Sequence, residues 1–223
     1  MASNIISEFN YNIALQTSVI VWVFVYILMI RRGVIDKSYG MPVVALCFNL
    51  SWEFYFTFIV DGSLVNRIGY GSFLLFDLGV LYTCLRYGKD DFGWPIFKEN
   101  FYAFVALITL VSFVMLYMFV TSFNDYGILI TLFAQLIFST LLIVMIIRRN
   151  SVKGQSLYIG LGILIGDSCG LIVAPYTQQT WQSDVPIDWI NTCNAYILSA
   201  NILYLALYYM VARRDGINPW KRL

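Results

Sequence analysis

Apolar and polar positions alternate along this chain in long blocks. A membrane-spanning helix needs about 20 mostly apolar residues. Seven runs approach or reach that length: 13–30, 42–60, 68–87, 101–121, 127–147, 157–174 and 190–212. The segments between them are short, which predicts an all-α integral membrane protein. It is expected to form a single domain over residues 1–223, one bundle of seven transmembrane helices without an extramembrane lobe. Residues 1–12 carry no Lys or Arg, and no small-residue cleavage site follows. The first run is therefore expected to be a span rather than a cleaved signal.

The basic residues orient the bundle. Arg31, Arg32 and Lys37 follow the first run; Arg86, Lys89 and Lys98 follow the third. Arg148, Arg149 and Lys153 follow the fifth, and Arg213, Arg214, Lys221 and Arg222 follow the seventh. Of the 14 basic residues, only Arg67 falls on the other side. Basic residues concentrate on the cytoplasmic face. The N-terminus is thus expected outside and the C-terminus in the cytoplasm, an alternation that requires an odd number of spans.

Composition agrees with this placement. Apolar and aromatic residues make up 60% of the chain and charged residues 12%, about half the share that covers a soluble domain. The net charge of +1 gives nothing for nucleic acid to bind. There is no histidine, and the four cysteines, Cys47, Cys84, Cys169 and Cys193, are far apart in apolar runs. No metal site and no cofactor are expected from such a set, and the cysteines read as packing residues. Without histidine, proton chemistry falls to carboxyls, tyrosines or water.

Of the 13 acidic residues, all but three fall in tails and loops; the exceptions are Glu53, Asp77 and Asp167, each near the middle of a run. A carboxylate at the bilayer centre costs about 2.5–3.5 kcal/mol or more. No Lys or Arg lies near the middle of the runs to pair with them, so they are expected to be neutral. A neutral carboxyl in a dry pocket is a proton donor. The plain alternative is a protonated acid hydrogen-bonded to a neighbouring helix. Asn49 lies four residues before Glu53 and so shares its helical face. Trp52 and Phe56 bracket that face. Gln135 lies in the fifth run, Asn201 in the seventh, and Tyr82 and Tyr204 add electron-rich rings. Aromatic walls stabilise cations through their quadrupoles. Neutral acids beside aromatic rings suit a reaction that protonates an apolar substrate and carries a carbocation.

Other chemistries lack their signatures. No Asp-rich run is present to hold magnesium on a diphosphate, and Asp90-Asp91 lies in a polar loop beside Lys89. The last run has no lysine for a retinal, and no Pro-Gln dipeptide marks a small carrier. Gly160 and Gly162 read as close-packing positions.

Ser38-Tyr39-Gly40-Met41-Pro42, followed by Cys47-Phe48-Asn49-Leu50-Ser51-Trp52-Glu53, resembles the hallmark of the small integral-membrane terpene cyclases, known from fungal meroterpenoid and indole-diterpene pathways and from bacterial relatives. Gly79-Val80-Leu81-Tyr82, and Gln135 with Arg149, Ser151, Gly154 and Ser156, resemble later segments of that family. The resemblance runs from about Tyr39 to the end. It implies seven spans, no metal, and a prenyl chain, farnesyl or geranylgeranyl, carried on a small head group and in some cases epoxidised. A terminal epoxide or alkene is protonated and rings close through carbocations. It implies a multi-pass protein of the bacterial inner membrane or the endoplasmic reticulum, surrounded by the lipid bilayer.

The family credits two acids with protonation. The first corresponds to Glu53. The second, an Asp in the last span, corresponds here to Asn201, which can orient an acid but cannot replace one. Asp77 or Asp167 is expected to take the second role. Asp77 is favoured because spans two and three are hairpin partners. Expected catalytic residues are thus Glu53, Asp77, Asn201 and Asp167, with Glu53 oriented by Asn49 or Asn201. Substrate contacts are expected from Asn49, Trp52, Phe56, Tyr82, Gln135 and Tyr204. The three carboxyls, placed at similar depth, are expected to converge on one closed pocket. The rival reading is a small proton-coupled transporter or channel with those carboxyls as a relay; a blander one is an assembly subunit with polar interhelical contacts.

Overall fold

A computed structural model of the chain describes residues 7–60, 62–123, 127–180 and 185–223. Its order is α1 (Glu8–Asp36), α2 (Val43–Phe58), α3 (Leu64–Tyr87), a 3-10 turn (Gly88–Asp91), α4 (Pro95–Glu99), α5 (Phe101–Phe123), α6 (Ile128–Arg149), α7 (Leu157–Ser168), α8 (Gly170–Thr180), α9 (Ile187–Arg214) and a closing 3-10 turn (Pro219–Lys221). Among the described residues there is no strand.

Among the described residues, six helical segments are long and apolar enough to cross a membrane. The second predicted span is the exception. Helix α2 has 16 residues, about 24 Å at 1.5 Å per residue, which is shorter than the hydrocarbon core of about 30 Å. Pro42 fixes its start, since proline suits the entrance of a helix and not its interior.

The sixth predicted run is divided into α7 and α8 at Cys169. Pro175 in α8 has no N–H to continue the ladder. Two carbonyls near the break find other donors: Ser18 Oγ donates to Gly166 O at 3.3 Å, and Asn194 Nδ2 donates to Gly170 O at 3.2 Å. In lipid, a broken helix persists only where such partners satisfy the freed groups.

Helix α7 lies between α1 and α9. Its glycines allow this approach: a Cβ on Gly162 would lie 2.4 Å from Val25, and one on Gly160 2.6 Å from Leu205. Helix α2 packs on α3 and α5, and α6 packs on α9. The core at these crossings includes Val25, Met29, Leu46, Val80, Leu142, Ile159 and Ile163, all fully buried. The outer faces keep large apolar side chains such as Ile20, Leu75 and Met118 exposed, as a lipid-facing surface does.

The basic end is held by a polar clasp. Asp36 bonds Arg32 and Arg222 and accepts from the Gly154 N–H at 2.8 Å. Arg149 Nη1 donates to Tyr39 O at 2.9 Å, its guanidinium lies 4.1 Å over the Tyr39 ring, and its Nε donates to Asp91 at 2.6 Å. Gly154 has φ +75, and a Cβ there would meet Tyr39 O at 2.5 Å, so glycine is required by both conformation and space.

Candidate active site

Two acidic centres form within the bundle. The first joins α1, α2 and α3. Glu53 is 6% exposed and Asp77 fully buried. The two carboxyls are near neighbours, and the Tyr26 hydroxyl is next to both. Glu53 Oε2 and both Asp77 oxygens are buried without a well-formed hydrogen bond among the described residues. Asn49 Nδ2 reaches the Tyr26 hydroxyl at 3.4 Å, so it adjoins the pair through the tyrosine.

The second centre joins α6, α7 and α9. Gln135 Nε2 donates to both oxygens of Asp167, at 2.9 and 2.8 Å, and Asn201 Nδ2 donates to Asp167 Oδ2 at 2.7 Å. Asn201 is fully buried, and among the described residues its Oδ1 has no partner. Asp167 stands in the last turn of α7, directly before the break. The interruption is the single residue Cys169, so the carboxyl stands beside a local break in the helix.

Asp167 and Gln135 line a cavity of about 320 Å³, within the usual range for small-molecule sites. Trp22, Trp52, Tyr70 and Tyr11 are among its aromatic walls. Trp52 packs at a tilt on Phe56, ring centres 4.5 Å apart, and meets Tyr70 edge-on at 5.1 Å. Trp22 lies 6.2 Å from Tyr26. Trp22 and Trp52 thus connect the two centres: each faces the cavity, and each is on the same helix as a member of the Glu53–Asp77–Tyr26 group.

The expected residues therefore divide. Trp52, Gln135 and Asp167 lie on the cavity, Phe56 supports Trp52, and Glu53, Asp77 and Asn49 gather behind the wall. Convergence of all three carboxyls on one pocket is not observed: α2 turns Trp52 to the cavity and its neighbour Glu53 toward α1 and α3. Asn201 bonds Asp167 rather than Glu53, because α9 packs against α6 and α7. Tyr82 is 59% exposed on the outer face of α3, away from the cavity. Tyr204 is fully buried, but its hydroxyl donates to Gln155 Oε1 at 2.5 Å in the clasp. Sequence reasoning missed Trp22, Tyr26, Ser18 and Tyr70. Trp22 and Tyr26, four residues apart, share one face of the first span, the only local trace of their role.

Comparison with known proteins shows the family of the chain. Residues 7–214 match the family described as Pyr4-like transmembrane terpene cyclases. A Pyr4-family terpene cyclase, mfmH, of Annulohypoxylon moriforme is 27% identical over 171 residues, covering 74% of this chain and 70% of the relative. The terpene cyclase penB of Penicillium crustosum is 24% identical over 205 residues, 89% of this chain and 80% of the relative. The terpene cyclase andB of Emericella variicolor is 24% identical over 217 residues, 92% and 89%. No solved structure matches.

Proposed function

The chain belongs to the Pyr4-like transmembrane terpene cyclases, a family of multi-pass membrane proteins, and we propose that it cyclises a prenyl chain by protonation without a metal. The observation that carries this reading is a carboxyl, Asp167, on the wall of an aromatic cavity in a chain without histidine. The substrate is a farnesyl or geranylgeranyl chain on a small head group, with a terminal epoxide or alkene.

A carboxylic acid gives its proton to the epoxide oxygen or the terminal alkene carbon. The epoxide C–O bond opens, or the alkene becomes a cation. Internal alkenes then supply electron pairs for successive C–C bonds. Loss of a C–H proton to a carboxylate ends the sequence and restores the enzyme, so the net change is isomerisation. Trp22, Trp52 and Tyr70 stabilise the moving cation through their ring faces and exclude the water that would quench it.

Asp167 is the acid in contact with substrate. Gln135 and Asn201 suit both of its protonation states. As placed they donate to the carboxylate, and turning the Asn201 amide over presents its free Oδ1 to an acid O–H. Glu53 and Asp77 supply the second acidic function. Both are buried behind Trp52, with the Tyr26 hydroxyl beside them. In this assignment Asn201 marks a carboxyl moved from the last helix to the neighbouring α7, while the amide stays to hold it.

The chain is further proposed to be one seven-helix domain, N-terminus outside, with α2 as the short seventh crossing. The bilayer is the bacterial inner membrane or the endoplasmic reticulum.

The test is product formation by membranes given farnesyl- or geranylgeranyl-bearing aromatics, with and without the terminal epoxide. Asp167→Asn and Glu53→Gln are each expected to lower cyclised product at least 100-fold with expression unchanged. Wild-type turnover by Asp167→Asn would remove Asp167 from the reaction; no product from any prenylated compound with the native protein would remove the substrate class.

A further inference from the structure

The basic end of the bundle holds a second concave site, apart from the aromatic cavity. Arg86 at the end of α3, Lys89 in the following turn, Lys37 at the end of α1 and Lys153 before α7 line a polar pocket of about 650 Å³. Asp90 and Asp91 also line it, but their charges are directed to other partners. Lys98 bonds Asp90 at 2.8 Å, and Arg149 bonds Asp91 at 2.5 Å. Among the described residues, none of the four pocket cations forms an ion pair. Four positive charges outside any ion pair, of which Lys89 also acts on Asp90, surround one hollow and form a site for a multiply bonded anion such as a phosphate.

An apolar cleft of about 800 Å³ lies along the same helix, α3, that carries Arg86. Helices α3 and α5 both pack on the short α2 and scarcely on one another, which leaves α2 as the floor between two walls. Ser51 Oγ donates to Cys47 O at 2.8 Å and Thr109 O at 3.1 Å, so its polarity is turned into the protein. The cleft extends along α3 from Leu74 to Leu85 and along α5 from Tyr102 to Phe113. Either span of helix is about 16 Å, close to half the hydrocarbon core of about 30 Å. Both lie in the half of their helices nearer the basic end. Leu85 of the cleft and Arg86 of the pocket are consecutive residues.

We propose that pocket and cleft together bind one anionic phospholipid of the leaflet on the basic side, with its phosphate among Arg86, Lys89, Lys37 and Lys153 and an acyl chain along the cleft. The charge surplus selects an anionic head group, and the apolar lining of the cleft selects a lipid tail over a soluble phosphate.

Full-length protein in detergent, titrated with lipid and followed by native mass spectrometry and thermal melting, tests this. Phosphatidylglycerol is expected to be retained at least tenfold more strongly than phosphatidylcholine and to raise the melting temperature more. Arg86→Gln with Lys89→Gln should reduce phosphatidylglycerol retention about 25-fold, about fivefold per cation. Leu81→Trp, which fills the cleft without touching a charge, should weaken both lipids. Equal retention of the two lipids by the native protein would overturn the proposal, as would an unchanged double variant. Inorganic pyrophosphate protecting as well as phosphatidylglycerol would assign the pocket to soluble phosphate instead. If the double variant does not fold, the native comparison and Leu81→Trp still decide.

Discussion

Among the described residues, Asp167 is held by two amides and no cation. Gln135 occupies both of its oxygens and Asn201 one. Removing Gln135 leaves a buried carboxyl short of donors, a loss of about 1–3 kcal/mol. Gln135→Leu is therefore expected to lower turnover about 10- to 100-fold. The fall should be in kcat more than in KM, because the amide holds the acid and not the prenyl chain. Steady-state cyclisation rates in membranes check this; a change confined to KM would make Gln135 a substrate contact instead. Glu53, Asp77 and Asp167 were legible because a carboxyl in an apolar run has a cost that demands a reason. Trp22 and Tyr26 were not, since a span rich in aromatics gives each ring the same local appearance whether it faces lipid or a cavity.

At the scale of elements, the broken α7–α8 helix positions the acid. The break needs Ser18 from α1 and Asn194 from α9 as donors, and α7 must approach both helices closely. Gly162→Val places side-chain carbon where Val25 already stands. Overpacking of this kind costs about 1–3 kcal/mol. The variant should melt earlier in detergent and lose activity as Asp167 shifts. Gly69→Ala, whose Cβ meets nothing within 4 Å, should melt no earlier than the native protein. Equal melting of both variants would mean that α7 is not clamped by its neighbours. Periodicity showed one apolar run here; that Pro175 and these cross-helix donors would divide it depends on contacts between helices far apart in sequence.

For the whole molecule, the family segments and the cavity occupy different regions. Tyr39-Gly40-Met41 and the Arg149–Ser156 loop build the clasp at the basic end, while Asp167 lies near the middle of its span. The clasp sets how α1, α6, α7 and the C-terminal residues converge, and through them the cavity's shape. The proposed orientation is open to direct measurement. Phe9→Cys and Trp220→Cys place thiols at exposed positions near opposite ends of the chain. A membrane-impermeant thiol reagent is expected to label the first in intact cells and the second only after permeabilisation, with the native protein as blank. Labelling of both from one face would refute the odd number of crossings.

The sequence by itself determined the membrane location, the helical class, the basic end and the three intramembrane carboxyls, because each follows from transfer free energies that act residue by residue. It also carried the family resemblance in Asn49, Trp52 and Glu53. Only the tertiary structure decided which carboxyls meet. Helical periodicity places Trp52 and Glu53 on adjacent faces, but which helix covers each face depends on packing. Asp77 pairs with Glu53 because α3 lies along α2, and Asp167 takes Asn201 because α9 lies against α7. Such pairings rest on the close approach of glycines and on donors from distant helices, neither of which a linear pattern records.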